Sequence, residues 1–344
     1  MSSVPAHTLK EFMKGPSVTL VILAAVVFLL ASGCSRNNVR RSIDQTVRAV
    51  DRSPKVVADY QPWFGDSEHI QVGYSTQDPN VLRRQIQQVK ALGIYAFAVD
   101  WYGNRNPFLD RSYALLQQVA SENHFHVALM YDETEEDNGH ATEDALDAFD
   151  KAYRAYIGPG APSRNAYLNY QGRPVIFVFP KRGHTDWSQV RQQVNSWEKP
   201  PILIYKDEPP EKYASNFDGY YAWVHPGPKG WSSDGSEWGE EYLESFYRRM
   251  RSKFPDRIIV GTVWPGFDDT KASWSLNRRM DRRCGKTFED TLRIFQENDS
   301  NDDPMPFLLI ATWNDYEEGT QIEDGVAHCA QQNQRGGTMS AGRD

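Results

Sequence analysis

The sequence has only three cysteines, Cys34, Cys284 and Cys329, in a chain of 344 residues. They form no CxxC pair and no Cys/His cluster, which are the patterns that a structural zinc site needs. We therefore expect no zinc site. Cys284 and Cys329 could form a disulfide bond in an oxidising compartment if Cys34 is used elsewhere, and the sequence leaves this open.

Three other signatures are missing. The net charge is -8, and basic residues cluster only briefly at Arg278-Arg279 and Arg282-Arg283, so no nucleic-acid partner is expected, because such partners need a broad basic face. No Gly-x-Ser-x-Gly motif follows a predicted strand, which argues against a serine nucleophile elbow. No glycine-rich turn follows the first predicted strand, which disfavours a doubly wound nucleotide-binding sheet.

No apolar run is long enough to span a membrane as a helix, which takes about 20 residues. The longest run, at 18–31, ends in Ser32-Gly33-Cys34 and resembles a bacterial lipoprotein signal in which Cys34 becomes the lipidated first residue. An uncleaved signal anchor and simple secretion are the alternatives. The N-terminus therefore predicts a leader over 1–33, a polar tether over 34–54, and an exported protein that is membrane-anchored, periplasmic or extracellular.

From residue 55 the sequence alternates between apolar strands and helices. The predicted strands lie at 56–60, 94–99, 126–130, 174–179, 202–205, 220–224, 257–261 and 307–311. The predicted helices lie at 81–92, 110–122, 143–156, 187–197, 240–254 and 287–298, with a short return segment at 211–215. This order favours parallel strands joined by crossovers and predicts one (β/α)₈ TIM barrel over 55–325. An eighth helix is not evident, because the tail at 326–344 is polar.

Side chains at the carboxyl ends of the strands of such a barrel converge on one face. These ends are rich in acids and in aromatic rings, in a chain with 10 Trp and 17 Tyr. Flat rings with polar edges are suited to bind sugars. The predicted substrate-binding residues are Tyr60, Trp63, Asp100, Trp101, Asp132, Glu133, His225, Trp264, Asp268, Asp269 and Trp313.

The last predicted strand, 307–311, is followed by four acids: Asp315, Glu317, Glu318 and Glu323. Cleavage of a glycosidic bond needs one carboxylic acid to protonate the leaving oxygen and a second carboxylate to activate water or assist at the anomeric carbon. Asp315 and Glu318 suit these tasks, because an i, i+3 spacing in a turn places both on one side. We therefore predict that Asp315 and Glu318 are catalytic, and that Glu317 and Glu323 lie on a solvated face.

The segment 312–323, TWNDYEEGTQIE, looks like the catalytic strand of glycoside hydrolase families 71 and 99. Its first half is similar to the fungal α-1,3-glucanases of family 71, and its second half to the endo-α-mannosidases of family 99. Four further segments resemble these families in the same order: YQPWFG and GIYAFAVDWYG in the first two strands, RPVIFVF in the fourth, and GFDDT after the seventh.

This resemblance implies a (β/α)₈ barrel that hydrolyses an α-linked glycan internally, without a metal or an organic cofactor. It places Glu318 as the general acid or acid/base and Asp315 as the second acid. Family 99 has Glu at the second position, with retention, and family 71 has Asp, with inversion, so the stereochemical outcome is open. Asp100 lies where the glucanases carry a functional acid, and Asp132 or Glu133 could bind neighbouring sugars.

Two other functions are compatible with the sequence. Family 99 has Trp-His between its two acids, whereas this chain has Tyr316-Glu317, and no eighth helix is evident. These departures suggest a second hypothesis, that the protein is a glycan-binding surface lipoprotein without catalytic activity. The acidic run at 132–137 prompts a third reading, a metal-dependent barrel hydrolase. In each case the predicted partners are a glycan and, through the N-terminus, a membrane.

Overall fold

The computed structural model of the protein describes residues 53–133, 139–300 and 302–323. The predicted leader (1–33), most of the predicted tether and the predicted tail (326–344) lie outside these residues. Cys284 is disulfide-bonded, and the other two cysteines, including the predicted lipidation site Cys34, lie outside the described residues. Across the described ranges, no helix has the length and apolar character needed to cross a membrane.

Eight parallel strands close into a barrel. They are β1 (Lys55–Tyr60), β2 (Ala96–Trp101), β3 (His126–Asp132), β4 (Arg173–Phe179), β5 (Ile202–Lys206), β6 (Gly219–Tyr221), β7 (Ile258–Val263) and β8 (Phe307–Ile310). Each strand pairs with its neighbours in the sequence, and β8 pairs with β1 to complete the ring. A two-residue strand, Asn169–Tyr170, adds an antiparallel extension to β4. The predicted (β/α)₈ fold is confirmed.

In the described ranges, six α-helices follow the strands on the outside of the barrel. They are α1 (Pro79–Ala91), α2 (Pro107–Glu122), α3 (Ala141–Ala152), α4 (Trp187–Val194), α5 (Glu240–Lys253) and α6 (Lys286–Asn298). Helix α1 begins as the sequence predicts: the Asp78 side chain accepts a hydrogen bond from the Asn80 amide, and Pro79 occupies the first turn, where its missing N–H costs nothing. Gly93, at φ +80°, follows its end.

Three connections differ from a regular barrel. Between β5 and β6 the chain forms only a 3₁₀ helix, Glu211–Asn216, at the place of the short return segment predicted there. Helix α3 continues into a π-helical turn, Tyr153–Ile157. After β8, residues 311–323 form turns and no helix. Within the described residues the eighth strand is therefore followed by the turn segment 311–323, which holds Asp315 and Glu318, and not by a helix.

Alternating side chains divide each strand between two apolar layers. Inward-facing side chains such as Val57, Ala98, Met130 and Leu309 fill the barrel interior. Outward-facing side chains pack against the helices in a larger cluster. Because the interior is filled with apolar side chains toward the amino ends of the strands, the inward positions at the carboxyl ends are the ones that can form a site.

Candidate active site

A cavity of about 1080 Å³ opens at the carboxyl ends of the barrel strands. This volume is just above the roughly 300–1,000 Å³ that is usual for small-molecule sites, so the cavity has room for more than one sugar ring. Acids, bases and aromatic rings line it, and the residues that the site uses are Asp59, Trp63, His69, Asp100, Tyr102, Asp132, Lys181, Lys206, Trp223, Trp231, Trp274, Arg278, Asp315 and Glu318.

Three aspartates from neighbouring strands form the floor of this cavity. Asp59, Asp100 and Asp132 are buried, and each lies near the carboxyl end of its strand, β1, β2 and β3. Asp59 was not predicted from the sequence. The signal was present, because a single acid inside the apolar strand VVADY occupies an inward position, two residues after Val57.

The turn after β8 is built around Asp315. Its Oδ1 accepts hydrogen bonds from the backbone N–H groups of Glu317 (3.0 Å) and Glu318 (2.8 Å), and its own N–H donates to Thr312 Oγ1 at 2.8 Å. The carboxyl of Asp315 therefore fixes the backbone that carries Glu318. This local geometry explains why an acid three residues before Glu318 shares its side of the turn.

Two residues from the segment after β7 hold the same turn from outside. The Arg282 guanidinium donates to the carbonyl oxygens of Gly319 (2.9 Å) and Gln321 (2.5 Å), and the Asp268 N–H donates to the Glu318 carbonyl oxygen at 2.7 Å. Gly319 has φ +64°, and a Cβ there would lie 3.1 Å from the Asp268 backbone. Glycine adopts this left-handed backbone without strain, whereas any larger residue would be strained there and would require the Asp268 backbone to shift.

Burial raises the pKa of both Asp315 and Glu318. The neighbouring Glu318 carboxylate raises the pKa of Asp315 further, while the two backbone N–H groups oppose this rise. For Glu318, the hydrogen bond from Trp274 and the charge of Arg278 partly offset the effect of burial. Two like charges in a shared, poorly solvated site resist ionising together, so the pair can hold a proton at a pH where an exposed carboxyl has lost it.

Basic side chains neutralise one side of the floor. Lys181 Nζ lies 3.0 Å from Asp132 Oδ2, and Arg105 donates to the Asp132 carbonyl oxygen. Lys206, whose pKa is lowered by burial, lies with its Nζ 3.5 Å from the centre of the Phe179 ring. The charge of Asp132 is therefore balanced by the ammonium group of Lys181. Asp59 and Asp100 have no such ion pair within the described residues.

Aromatic rings form the walls. Trp63 and His69 are stacked with ring centres 4.6 Å apart, and Trp274, which is 40% exposed, meets Trp63 edge-on at 6.0 Å. Trp231 packs on Phe267 at 4.9 Å. Several flat apolar faces with polar edges around one cavity are the surfaces on which sugar rings stack.

The sequence of residues 55–335 matches the model of glycosyl hydrolase family 99. The chain belongs to glycosyl hydrolase family 99. It is 23% identical over 280 residues to the mouse glycoprotein endo-alpha-1,2-mannosidase, covering 76% of this chain and 58% of the relative. It is 24% identical over 300 residues to the human glycoprotein endo-alpha-1,2-mannosidase-like protein, covering 79% of this chain and 62% of the relative. The chain thus spans about three fifths of these relatives.

Two solved structures share the fold. A family 99 endo-alpha-mannosidase from Bacteroides thetaiotaomicron superposes with a TM-score of 0.60 at 17% identity, covering 81% of this chain and 89% of that one. A glycoside hydrolase-like protein superposes with a TM-score of 0.55 at 15% identity, covering 79% and 88%. Of the two families that the sequence resembles, family 99 is therefore the one shown.

Seven residues predicted for the site line the cavity of this family 99 chain: Trp63, Asp100, Asp132, Glu133, His225, Asp315 and Glu318. Two of them have a structural partner as well. The Glu133 carboxylate accepts hydrogen bonds from the backbone N–H groups of Lys181 and Thr185, and His225 Nδ1 lies 2.7 Å from the Pro226 carbonyl oxygen. Glu133 therefore anchors the loop after β4.

Four predicted aromatic residues lie outside the cavity lining, because they belong to the outer layer between strands and helices: Tyr60, Trp101, Trp264 and Trp313. The Tyr60 hydroxyl donates to Gln85 on α1, and Trp101 Nε1 donates to Asp110 on α2. Counting strand ends by sequence does not separate inward from outward positions: Tyr60 and Trp101 are each one position out of phase with Asp59 and Asp100, which line the cavity.

Asp268 and Asp269 also lie outside the cavity lining. The Asp268 side chain caps the 3₁₀ helix Asp269–Lys271 by accepting from Thr270. The buried Asp269 carboxylate binds Arg278 Nε at 2.7 Å and accepts from the Arg278 and Leu276 amides, and these contacts lower its pKa. Both acids shape the loop that carries Trp274.

The prediction that Glu317 and Glu323 lie on a solvated face is wrong, since both are buried. Glu317 accepts from the Ile70 amide and lies 2.8 Å from His69 Nδ1. Glu323 accepts from the Tyr74 hydroxyl (2.8 Å) and from Gln85 Nε2 (2.7 Å). The two acids attach the segment after β8 to the loop after β1, which contributes Trp63 and His69 to the wall.

The predicted absence of a metal site remains a prediction. In the portions of the chain that are described, no group of three or more His, Cys, Asp or Glu side chains is arranged to hold a metal ion. The acidic run at 132–137, which prompted the metal-dependent reading, lies largely outside those portions, because 134–138 are not described.

Proposed function

We propose that this protein is a glycoside hydrolase that cleaves within an α-linked glycan, with Asp315 and Glu318 as its carboxylate pair. The observation that carries the proposal is the placement of these two acids. They follow the last strand of a family 99 barrel, three residues apart, with raised pKa values, and both line a cavity walled by aromatic rings.

Glu318 serves as the acid. Its carboxyl is partly buried at the cavity wall, and Trp274 Nε1 donates to its Oε1 at 3.0 Å, so the second oxygen can deliver a proton to the leaving glycosidic oxygen. A raised pKa keeps that proton available near neutral pH. Once the leaving group departs, the same group acts as a base toward the incoming water if the reaction proceeds with retention.

Asp315 serves as the second carboxylate. Its Oδ1 is held by two backbone N–H groups, which favour the ionised form and leave Oδ2 for the substrate. From this position it can assist at the anomeric carbon or activate a water molecule. Aspartate is one methylene shorter than the glutamate of the family 99 pattern, so its reach differs and the stereochemical outcome must be measured.

The substrate class is an α-mannan or an α-glucan, with an α-1,2-linked mannan as the first candidate. The support is the similarity over most of this chain to a glycoprotein endo-alpha-1,2-mannosidase and to an endo-alpha-1,2-mannosidase-like protein, together with a cavity of about 1080 Å³ that has room for more than one sugar ring. A cavity with aromatic walls fits internal cleavage, because sugar rings can stack on both sides of the bond that breaks.

The test is a digestion panel. The purified protein is incubated with α-1,2-, α-1,3- and α-1,6-linked mannans and with α-1,3- and α-1,4-linked glucans, with and without a chelator. Release of oligosaccharides from one class, with the product anomer read by NMR at early times, supports the proposal and decides between retention and inversion. Binding without release across the panel would favour the non-catalytic glycan-binding reading, and loss of activity in the chelator would favour the metal-dependent one.

We also propose that the protein is exported and held at a membrane through lipidated Cys34. The support is the apolar run at 18–31 before Ser32-Gly33-Cys34 and the disulfide-bonded state of Cys284, because disulfides persist mainly in oxidising compartments. Metabolic labelling with a fatty-acid probe tests this: labelling of the wild type and its loss in Cys34→Ala is expected, and unlabelled wild type would contradict it.

A further inference from the structure

Two carboxyl oxygens at the cavity floor are buried without a hydrogen-bond partner: Asp59 Oδ2 and Asp100 Oδ1. Unsatisfied buried polar atoms are uncommon in folded proteins, because each costs about 1–3 kcal/mol. The two residues belong to the paired strands β1 and β2, both carboxyls line the same cavity, and Asp100 is the strongest charged neighbour of Asp59. These two unsatisfied atoms are therefore best explained together.

The other oxygen of Asp59 fixes the direction in which the unsatisfied one points. Asp59 Oδ1 accepts a hydrogen bond from Gln61 Nε2 at 2.7 Å. The backbone of this segment is also tied to the catalytic turn, since the Asp59 carbonyl accepts from Trp313 N–H and the Gln61 N–H donates to Asn314 Oδ1 at 2.8 Å. Any proton on the Asp59 carboxyl therefore resides on Oδ2.

We propose that Asp59 and Asp100 share one proton, forming a carboxyl–carboxylate pair with a single net negative charge beneath Asp315 and Glu318. In this pair Oδ2–H of Asp59 donates to Oδ1 of Asp100, which lies on the same inward face of β2, two residues beyond Ala98, the register partner of Asp59. The bond satisfies both unpartnered atoms at once. Asp59 is then a positioning residue, because it acts on the reaction through Asp100 and through the charge of the floor.

The surroundings favour one shared proton over two ionised acids. The charged and titratable groups that face the pair are Asp132, Asp315 and Glu318 as acids, Lys181 and Arg105 as bases, and the hydroxyls of Tyr102 and Tyr221. Burial is the largest cause of the raised pKa of each member, and the nearby acids add to it. Lys181, the nearest base, is already 3.0 Å from Asp132.

One negative charge at the floor is useful to the proposed reaction, on which this part of the inference rests. The transition state of glycoside hydrolysis carries positive charge on the sugar ring, and a fixed anion beneath it lowers its energy. A second anion would raise the pKa of Asp315 and Glu318 and hinder ionisation of Asp315. The shared proton keeps the floor at one charge up to the pH at which the pair releases it.

The proton can be observed without activity. Carbon-13 NMR of the aspartate carboxyls follows each titration, with Asp59 assigned by Asp59→Asn, Asp100 by Asp100→Asn, and Asp218 by Asp218→Asn as a reference that is paired with two arginines and has a lowered pKa. We expect Asp218 to be ionised throughout the neutral range. The pair should gain its second charge only at a pH well above the titration of Asp218. Full ionisation of Asp59 and Asp100 together with the ordinary carboxyls would overturn the inference.

Activity then tests the role on the substrate that the digestion panel selects. Asp59→Asn keeps a neutral donor toward Asp100, so we expect it to retain more of the wild-type kcat than Asp59→Ala does, while the alkaline limb of kcat/KM against pH moves to higher pH. Asp59→Ala removes the donor, so we expect kcat/KM to fall by about tenfold or more, the equivalent of one lost hydrogen bond. Thermal unfolding confirms that both variants are folded.

The outcomes separate this inference from the proposed function. If the panel finds no hydrolysis but the NMR titration shows the shared proton, the proton pair stands and the catalytic proposal fails. If hydrolysis occurs and Asp59→Asn and Asp59→Ala lose activity equally without a change in the pH profile, the positioning role of Asp59 is overturned.

Discussion

The Trp274 indole Nε1 donates a hydrogen bond of 3.0 Å to Oε1 of Glu318. Trp274 lies on the loop that Asp269 organises through four hydrogen bonds, from Ser275, from the Leu276 amide, and from the backbone and the side chain of Arg278. The orientation of the proposed acid therefore depends on a loop that follows a different strand, β7. Through this contact a residue of the cavity wall orients the carboxyl that we propose as the acid.

Replacing Trp274 by phenylalanine should shift the pH dependence of activity. The indole N–H lowers the pKa of Glu318, so its loss raises that pKa further, and the acid keeps its proton to higher pH. We expect the alkaline limb of kcat/KM to move upward in Trp274→Phe, with kcat reduced about tenfold because one oxygen of Glu318 is no longer fixed. Trp231→Phe, in the same cavity but without a contact to Glu318, is the control. An unchanged limb in Trp274→Phe would contradict this.

Arg282 should stabilise the turn that holds Asp315 and Glu318 more than it stabilises the fold as a whole. Burial lowers its pKa to about 10, which still leaves it charged at neutral pH, and it supplies the donors for two buried carbonyl oxygens. Arg282→Met should lower the free energy of unfolding by about 2–4 kcal/mol and lower kcat more than it changes KM. Urea unfolding and steady-state kinetics check both.

Arg293→Met is the matched control for that substitution. Arg293 pairs with Glu297 one turn along α6, where both side chains are about half exposed, and such surface pairs contribute about 0.5 kcal/mol or less. We expect no change in kcat. Equal losses of stability in the two variants would show that the carbonyl contacts of Arg282 do not matter.

A comparison of Gly319→Ala with Gly73→Ala should distinguish the cost of the left-handed backbone from the cost of the close approach to Asp268. Both glycines have positive φ, +64° and +83°, but only the added Cβ at 319 would lie 3.1 Å from the backbone of Asp268, whereas nothing lies within 4 Å at 73. Each substitution costs about 1–2 kcal/mol for the left-handed backbone. Gly319→Ala should lose more stability and also lower kcat at least tenfold, because the turn between Asp315 and Arg282 must move. Equal effects would show that the close approach is tolerated.

The folded state should lose stability as pH rises from about 5 to 8. Buried Asp59, Asp100, Asp315 and Glu318 have raised pKa values, so the folded chain binds more protons than the unfolded chain above the usual carboxyl range. The contribution of these groups to the free energy of unfolding is fully present below the usual carboxyl range. It falls as the pH rises toward their pKa values in the folded state, by up to about 1.4 kcal/mol per pH unit for each group. His126, with a lowered pKa, opposes this near pH 6.5. Urea unfolding at several pH values checks it.

Asp59→Asn tests the origin of that slope. An amide cannot ionise, so the variant should lose less stability between pH 5 and pH 8 than wild type does. Asp218→Asn should not flatten the slope, because the lowered pKa of Asp218 makes its stabilising effect complete over this whole range and confines the pH dependence of that effect to lower pH. A wild-type profile that is flat or rising over this range would count against buried, protonated carboxyls at the floor.

The barrel was predictable because its signals are local. Each strand is a short apolar run. Asp78-Pro79 marks the start of helix α1, and the acids after β8 come shortly after the last apolar run. It is harder to predict from the sequence which side chains at the end of a strand face the cavity and which face the helices. Tyr60 and Trp101 were chosen because they are aromatic and end a strand, yet they face the helices, while Asp59, one residue earlier, faces the cavity.

The wall residues were missed for a different reason. Trp231 and Trp274 lie in long loops after β6 and β7, where no period fixes a direction. The orientation of Trp274 depends on the Asp269–Arg278 contact, which closes its own loop, and on Glu318, which is 44 residues away in the sequence. In the same way, Glu317 is buried only because His69 and the Ile70 amide meet it from the loop after β1, which a local reading of an acidic run cannot show.

The most direct test compares three carboxyl-to-amide variants of one turn: Asp315→Asn, Glu318→Gln and Glu317→Gln. All three are isosteric, but Glu317 does not line the cavity and binds His69 instead. On the glycan that the wild type digests best, we predict that kcat falls by about 10²–10⁴ in Asp315→Asn and in Glu318→Gln, while Glu317→Gln stays within about tenfold of wild type. Wild-type rates in Asp315→Asn and Glu318→Gln would contradict the assignment of this pair.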